Sequence, residues 1–158
     1  MAISKPLDLM DCLQDEPPSY LAVSQSSPLD RIKLVKAGLP AGVVVTLATS
    51  MGVPRDQLLR WIGIPRATAN RKIKAGERLN QDESERVLGL IKLIGQVERI
   101  VAESGDPTGF LSARWTAQWL ALPLPALGGR LPGDFMDTFE GRSLVSGLMA
   151  QIQSGAYA

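Results

Sequence analysis

Residues 80–104, NQDESERVLGLIKLIGQVERIVAES, place Val87, Leu90, Ile91, Ile94, Val97 and Val101 at helical spacing, a sustained apolar stripe that runs to Gly105. Asn80, Asp82 and Glu83 open it, where the positive end of a helix dipole favours negative charge. A helix this long and this one-sided has to be covered by neighbours, and alternating polar and apolar strand patterns are missing elsewhere in the chain. The fold expected is therefore all-α: an N-terminal helical bundle, the long connecting helix, and a small helical C-terminal unit.

The shorter segments fit that frame. A helix over 28–37 follows a cap at Ser27 or Asp30, carries Ile32, Leu34 and Val35, and stops at Gly38. PAGVVVTLATSMG is apolar almost all round, so periodicity alone leaves strand or buried helix open; Pro40 before it and Gly52 after it favour helix. PRDQLLRWIG starts at Pro54, sets Leu58, Leu59 and Ile62 on one side and ends at Gly63, while RATANRKIKAG has Ile73 as its one sizeable apolar residue and closes at Gly76. Beyond Gly105 the sequence predicts a helix from about 107 to 121, a Pro- and Gly-rich connection, a short turn over 132–138 and a helix over 140–154. Residues 1–27, with three Pro and the acids Asp8, Asp11, Asp15 and Glu16, read as a mostly unstructured arm in which Leu7, Leu9, Met10 and Leu13 form at most one turn on a partner. The expected divisions are an arm over 1–27, a bundle over 28–104 and a C-terminal unit over 105–158.

Composition narrows the chemistry. Seventeen Lys and Arg against 16 Asp and Glu leave a formal charge of +1, so only local clusters can argue for an anionic partner. The chain has no histidine and a single cysteine, Cys12, which is read as incidental; histidine-based triads, Cys/His zinc sites and intramolecular disulfides are excluded. No cofactor or metal is expected. An enzyme would need Ser112 or Thr116 as a nucleophile without a histidine base, or Asp134 and Asp137 as paired carboxylates, and the two aspartates fit better at the start of a short helix. The N-terminus lacks a basic region followed by an unbroken apolar run, and no stretch of 18 apolar residues occurs, so a cytoplasmic chain is expected.

Residues 54–78 hold seven Arg and Lys against Asp56 and Glu77, a local excess of five positive charges. Two short helices joined at Gly63, Ile64 and Pro65, the second rich in Arg, Lys, Asn and Thr, have the layout of a helix-turn-helix whose second helix enters the major groove. Arg and Asn match guanine and adenine edges, and Lys and Thr match phosphates. Arg66, Thr68, Asn70, Arg71, Lys72 and Lys74 are the candidate DNA contacts, with Ala69 and Ile73 turned inward. A charged helix that merely faces solvent is the plainer alternative.

LLRWIGIPRATANRKIKAGERLNQDESERVLGL resembles the helix-turn-helix of Xre-type antitoxins. WLALPLPALGGRLPGDFMDTFEGRSLVSGLMAQIQSGAYA is similar to the toxin-binding region of the Xre/MbcA/ParS family, with Trp119-Leu120, Pro123, Leu127-Gly128-Gly129, Pro132, Thr138, Gly141, Val145, Leu148, Ile152 and Gly155 on the family's pattern. The resemblance covers roughly residues 40–158. Where the family often has Asn in the loop after its tryptophan, this chain has Leu124 and Pro125. It implies an antitoxin that binds a RES-domain, NAD-consuming toxin, blocks its active site and represses its own operon. The partners implied are that toxin, operator DNA and a second copy of the chain, with the helix over 28–37 and the arm as the dimerising element.

Candidate toxin contacts are Trp115, Trp119, Leu127, Gly128, Gly129, Arg130, Gln151 and Tyr157. Trp115 and Trp119 are four apart and share a helix face, where a local core is the alternative role. Gly128 and Gly129 have no phosphate-loop motif around them and are read as a tight turn. The last helix and the Ser-Gly-Ala-Tyr-Ala tail are expected to cover the toxin's NAD pocket, with Tyr157 as anchor. A transcription regulator whose C-terminal unit only dimerises or binds a small ligand is the competing reading, separated by the absence of rescue when a toxin is co-expressed.

Overall fold

The helix that the apolar stripe predicts spans Gln81–Ser104 and is the axis of the fold. The computed structural model describes residues 8–14 and 18–155. In chain order the helices are α1 (Leu9–Gln14), α2 (Tyr20–Gln25), α3 (Pro28–Ala37), α4 (Val43–Met51), α5 (Arg55–Ile62), α6 (Arg66–Ala75), α7 (Gln81–Ser104), α8 (Ser112–Leu120) and α9 (Phe139–Ser154), with 3-10 turns at Pro125–Leu127 and Pro132–Phe135. No strand forms among the described residues; two isolated bridges, Pro40 with Arg78 and Leu124 with Arg130, are the only β pairing there. The all-α expectation holds, and the ambiguous segment after Pro40 is helix α4.

A capping box starts α7: the Asn80 Oδ1 accepts the Glu83 N–H at 2.8 Å, and the Glu83 carboxylate accepts the Asn80 N–H at 2.8 Å. Its burial is wider than the expected stripe. Leu88, Leu93 and Gly95 are buried along with Val87, Leu90, Ile91, Ile94 and Val97, because α2 covers a second side. The contact is close at Gly95, where a Cβ would stand 2.6 Å from Ser24 Cβ and 2.8 Å from the Tyr20 carbonyl oxygen.

Here the expectation of an unstructured arm is corrected. Within 1–27 the described residues form α1 and α2, and Leu9, Cys12, Leu13, Tyr20 and Val23 belong to the core. Short polar-rich segments give no periodic signal of their own; the apolar surface of α7 supplies the partner for α2, and α1 in turn packs on α2 and α3. On α3 the apolar Ile32 is half exposed and Leu29 still more open, while Leu34 and Val35 are buried. The helix expected from residue 107 begins instead at Ser112, because Gly109 takes a left-handed turn and Asp106 ties the Thr108 N–H at 2.9 Å.

The bundle and the C-terminal unit share one core. α8 packs on α4 and α7, α9 packs on α7, and the turn Pro132–Phe135 packs on α5. Trp61 of α5, buried against Gly133, is the joint between them. Ser84 binds the loops on either side of the helix-turn-helix: its hydroxyl accepts the Leu39 N–H at 3.0 Å, and Leu79 N–H donates to the Leu39 carbonyl at 2.8 Å.

Candidate functional site

Helices α5 and α6 meet at Gly63, whose φ of +67° closes α5 in the left-handed region. A Cβ at Gly63 would also stand 3.0 Å from Asp137 Cβ, so the turn needs a residue without one on both counts. Asp137 belongs to the C-terminal unit, which therefore abuts the turn that orients α6. Ala69 is fully buried and Ile73 half buried, as expected, while Arg66, Ala67, Arg71, Lys74 and Ala75 face outward.

Arg66, Arg71 and Lys74 are exposed, while Thr68 and Asn70 are partly covered. Arg66 pairs with Asp56 at 3.4 Å and Arg71 with Glu77 at 3.2 Å, all four side chains roughly half exposed or more. Exposed pairs of this kind are worth about 0–1 kcal/mol, so either guanidinium can exchange its carboxylate for a phosphate or a base edge at little cost. Asn70 is engaged by a residue the sequence reading did not select: Arg55 Nη1 donates to its Oδ1 at 3.2 Å, adding a sixth polar group to the face.

Lys72 is used differently. Its ammonium lies 2.6 Å from Glu83, and the two side chains are only 12% and 5% exposed, which turns Lys72 toward α7 and away from the outer face. Burial pushes the Glu83 carboxyl up, but the Lys72 ammonium, the Asn80 N–H and nearby Arg86 outweigh it and hold the group below its ordinary range. Lys72 thus ties α6 to the capping box of α7, which corrects its selection as a DNA contact. Nothing in spacing separates Lys72 from Lys74; only the position of Glu83 does.

The selected residues of the C-terminal unit divide in the same way. Trp119 and Leu127 are buried, 6% and 4% exposed, and serve the chain's own core, so as side-chain contacts for a partner they are corrected. Trp115 stacks on Trp119 with ring planes 9° apart and centroids 6.5 Å apart, and remains partly accessible beside Phe110. Gly128 and Gly129 are exposed with φ of +65° and +84°, in a turn closed by the Leu124 N–H donating to the Arg130 carbonyl at 3.1 Å. Arg130 is exposed, lies 5.1 Å over the Phe135 ring and donates its Nε–H to the Leu127 carbonyl at 3.0 Å. Gln151 is exposed on α9, and Tyr157 lies outside the described residues. The joint of Trp61 with Gly133 was missed, although a tryptophan two residues before a helix-closing glycine was visible in RWIG.

Residues 30–92 match the antitoxin Xre-like helix-turn-helix domain, and residues 108–155 match the antitoxin Xre/MbcA/ParS C-terminal toxin-binding domain. A Prs ADP-ribosylating antitoxin of Sphingobium sp. (strain YBL2) is 43% identical over 142 residues, covering 90% of this chain and 89% of that protein. The chain belongs to the Xre family of antitoxins. A more distant relative of the antitoxin, named antitoxin Xre, from Yersinia enterocolitica, is 23% identical over 124 residues, 78% of each chain. The antitoxin thus carries a DNA-binding helix-turn-helix and a toxin-binding domain in one polypeptide. Among its described residues no helix is long and apolar enough to cross a membrane.

Proposed function

We propose that the antitoxin neutralises a RES-domain, NAD-consuming toxin by covering its active site, and represses its own operon by setting α6 in the major groove. The carrying observation is the exposed polar face of α6, with Arg66, Arg71 and Lys74 outward and Arg55 joined to Asn70, built against the domain that matches toxin-binding modules. The name of the Sphingobium relative supports the choice of toxin, because ADP-ribosyl transfer draws its group from NAD.

In this reading Arg66, Asn70 and Arg71 read bases, with Thr68 and Lys74 on phosphates. A homodimer sets two copies of α6 one helical turn of DNA apart, and the exposed Leu29 of α3 offers apolar surface for that pairing. Trp115, the Gly128-Gly129 turn, Arg130, Gln151 and Tyr157 meet the toxin. The antitoxin acts by contact in the cytoplasm and catalyses no reaction.

The test is co-expression with the product of the adjacent gene. Rescue of growth, co-purification and loss of NAD consumption by the toxin are expected. Normal NAD consumption in the presence of saturating antitoxin would sink the neutralising role, and an operator left unbound would sink the repressing one.

A further inference from the structure

A cleft of about 860 Å³ lies between α3 and α9, floored by α7. Its walls come from both halves of the molecule, and α9 belongs to the region that matches toxin-binding domains. Arg31, Lys36, Lys92, Arg99 and Arg142 line it, against the single carboxylate Glu85. That leaves an excess of four positive charges in one concavity.

Two of these charges are held in place by neutral groups. Arg31 donates to the carbonyl oxygens of Ser24, at 3.3 Å, and of Ser26, and Arg142 donates to the Met136 carbonyl at 3.3 Å. Carbonyls fix a guanidinium's position but carry no net charge to offset it. Among the described residues none of the five forms an ion pair within 4.0 Å. Arg142 extends across Gly89, where a Cβ would stand 2.8 Å from its Nε. The Lys92 ammonium is pushed below its ordinary range by burial and by the nearby Arg31 and Arg142.

The rim is apolar. Ile32 on the α3 wall is 50% exposed and Phe139, at the start of α9, is 71% exposed. A small inorganic anion needs no such rim, and the convex backbone of a duplex offers phosphates and sugar edges but no protruding apolar side chain to set against Phe139. A protein segment with carboxylates for the floor and an apolar side chain for the rim satisfies both features.

We propose that this cleft receives an acidic, apolar-tipped segment of the toxin, a second contact region besides the C-terminal face. The inference rests on the antitoxin reading. It places part of the toxin interface on α3 and α7, in the half of the chain that otherwise binds DNA, so toxin capture and operator binding draw on one shared core.

The experiment uses full-length antitoxin and the purified RES-domain product of the adjacent gene, with affinity measured at low and high salt. Lys36→Glu with Arg99→Glu changes two exposed cations, and Phe139→Ala removes the rim aromatic; neither site is buried, so melting temperatures should match wild type. The double variant should bind toxin at least 30-fold more weakly, with a flattened salt dependence, and Phe139→Ala about 10-fold more weakly, while operator affinity stays within twofold. Wild-type affinity for toxin in both variants would overturn the cleft while leaving the antitoxin reading intact. Loss of operator binding with toxin binding unchanged would make the cleft a nucleic-acid surface and equally overturn it. Failure of wild type itself to bind that toxin would defeat both readings together.

Discussion

Replacing Gly133 by alanine tests whether the DNA-binding and toxin-binding halves are joined through Trp61. A Cβ there would stand 2.6 Å from Cε2 and 2.8 Å from Cδ1 of the indole, with Nε1 nearer still. Carbon atoms normally rest about 3.5–4.0 Å apart, so the ring must move by roughly 1 Å. Trp61 is 4% exposed and rigid, unlike the end of a flexible side chain, and overpacking of this kind costs about 1–3 kcal/mol. Gly133 does not sit at positive φ, so alanine also gains about 0.4–1 kcal/mol from the unfolded chain, leaving a net loss centred on about 1.3 kcal/mol. For a chain of this size that lowers the melting temperature by roughly 2–8 °C, measurable by calorimetry or far-UV circular dichroism. Trp61→Phe in the Gly133→Ala background should restore part of the loss, giving a coupling of about 0.5–3 kcal/mol in the double-mutant cycle. An unchanged melting temperature in Gly133→Ala, or strict additivity of the two changes, would refute the joint.

Ser84→Ala strands the buried Leu39 N–H without its acceptor and should cost about 1–3 kcal/mol in denaturant unfolding, with the slope unchanged. Glu83→Gln should cost about 2–3 kcal/mol at neutral pH, because Lys72 loses its buried partner while the amide oxygen still caps α7. Since folding lowers the Glu83 pKa, its contribution is present above the unfolded value of about 4.3 and fades as pH falls through the folded value. The gap between wild type and Glu83→Gln should therefore narrow below about pH 4, and a gap constant down to pH 2 would contradict that assignment. Arg71→Ala should weaken operator binding by about 1–3 kcal/mol, whereas Lys74→Ala should weaken binding to all sequences and reduce the salt slope by about one unit. Lys72→Ala should instead lower stability at unchanged salt slope.

The antitoxin's sequence made α5 and α6 legible because their signals are local. Pro54 and Pro65 precede their first turns, Gly63 and Gly76 close them, and Leu58, Leu59, Ile62 and Ala69 mark the inner faces. The same is true of α7, where Asn80 and Glu83 close the capping box within four residues of each other. The basic character of α6 needed no structure either, since Arg66, Arg71 and Lys74 outnumber any nearby acid in the chain itself.

Partnership across the chain is another matter. Whether Lys72 points to DNA or to Glu83 depends on where α7 begins relative to α6, and whether Trp119 greets a toxin or fills a core depends on α8 meeting α4 and α7. Residues 9–14 and 20–25 look like linker by composition and become helix only through packing, α2 on α7 and α1 on α2 and α3. The cleft has no trace in the linear order: Arg31, Lys92 and Arg142 are about 60 and 50 residues apart, and only packing gathers their charges. Caps, turns and periodicity are written in neighbouring residues and can be read there. Burial, ion pairing and concavity arise between residues that only the folded chain brings together.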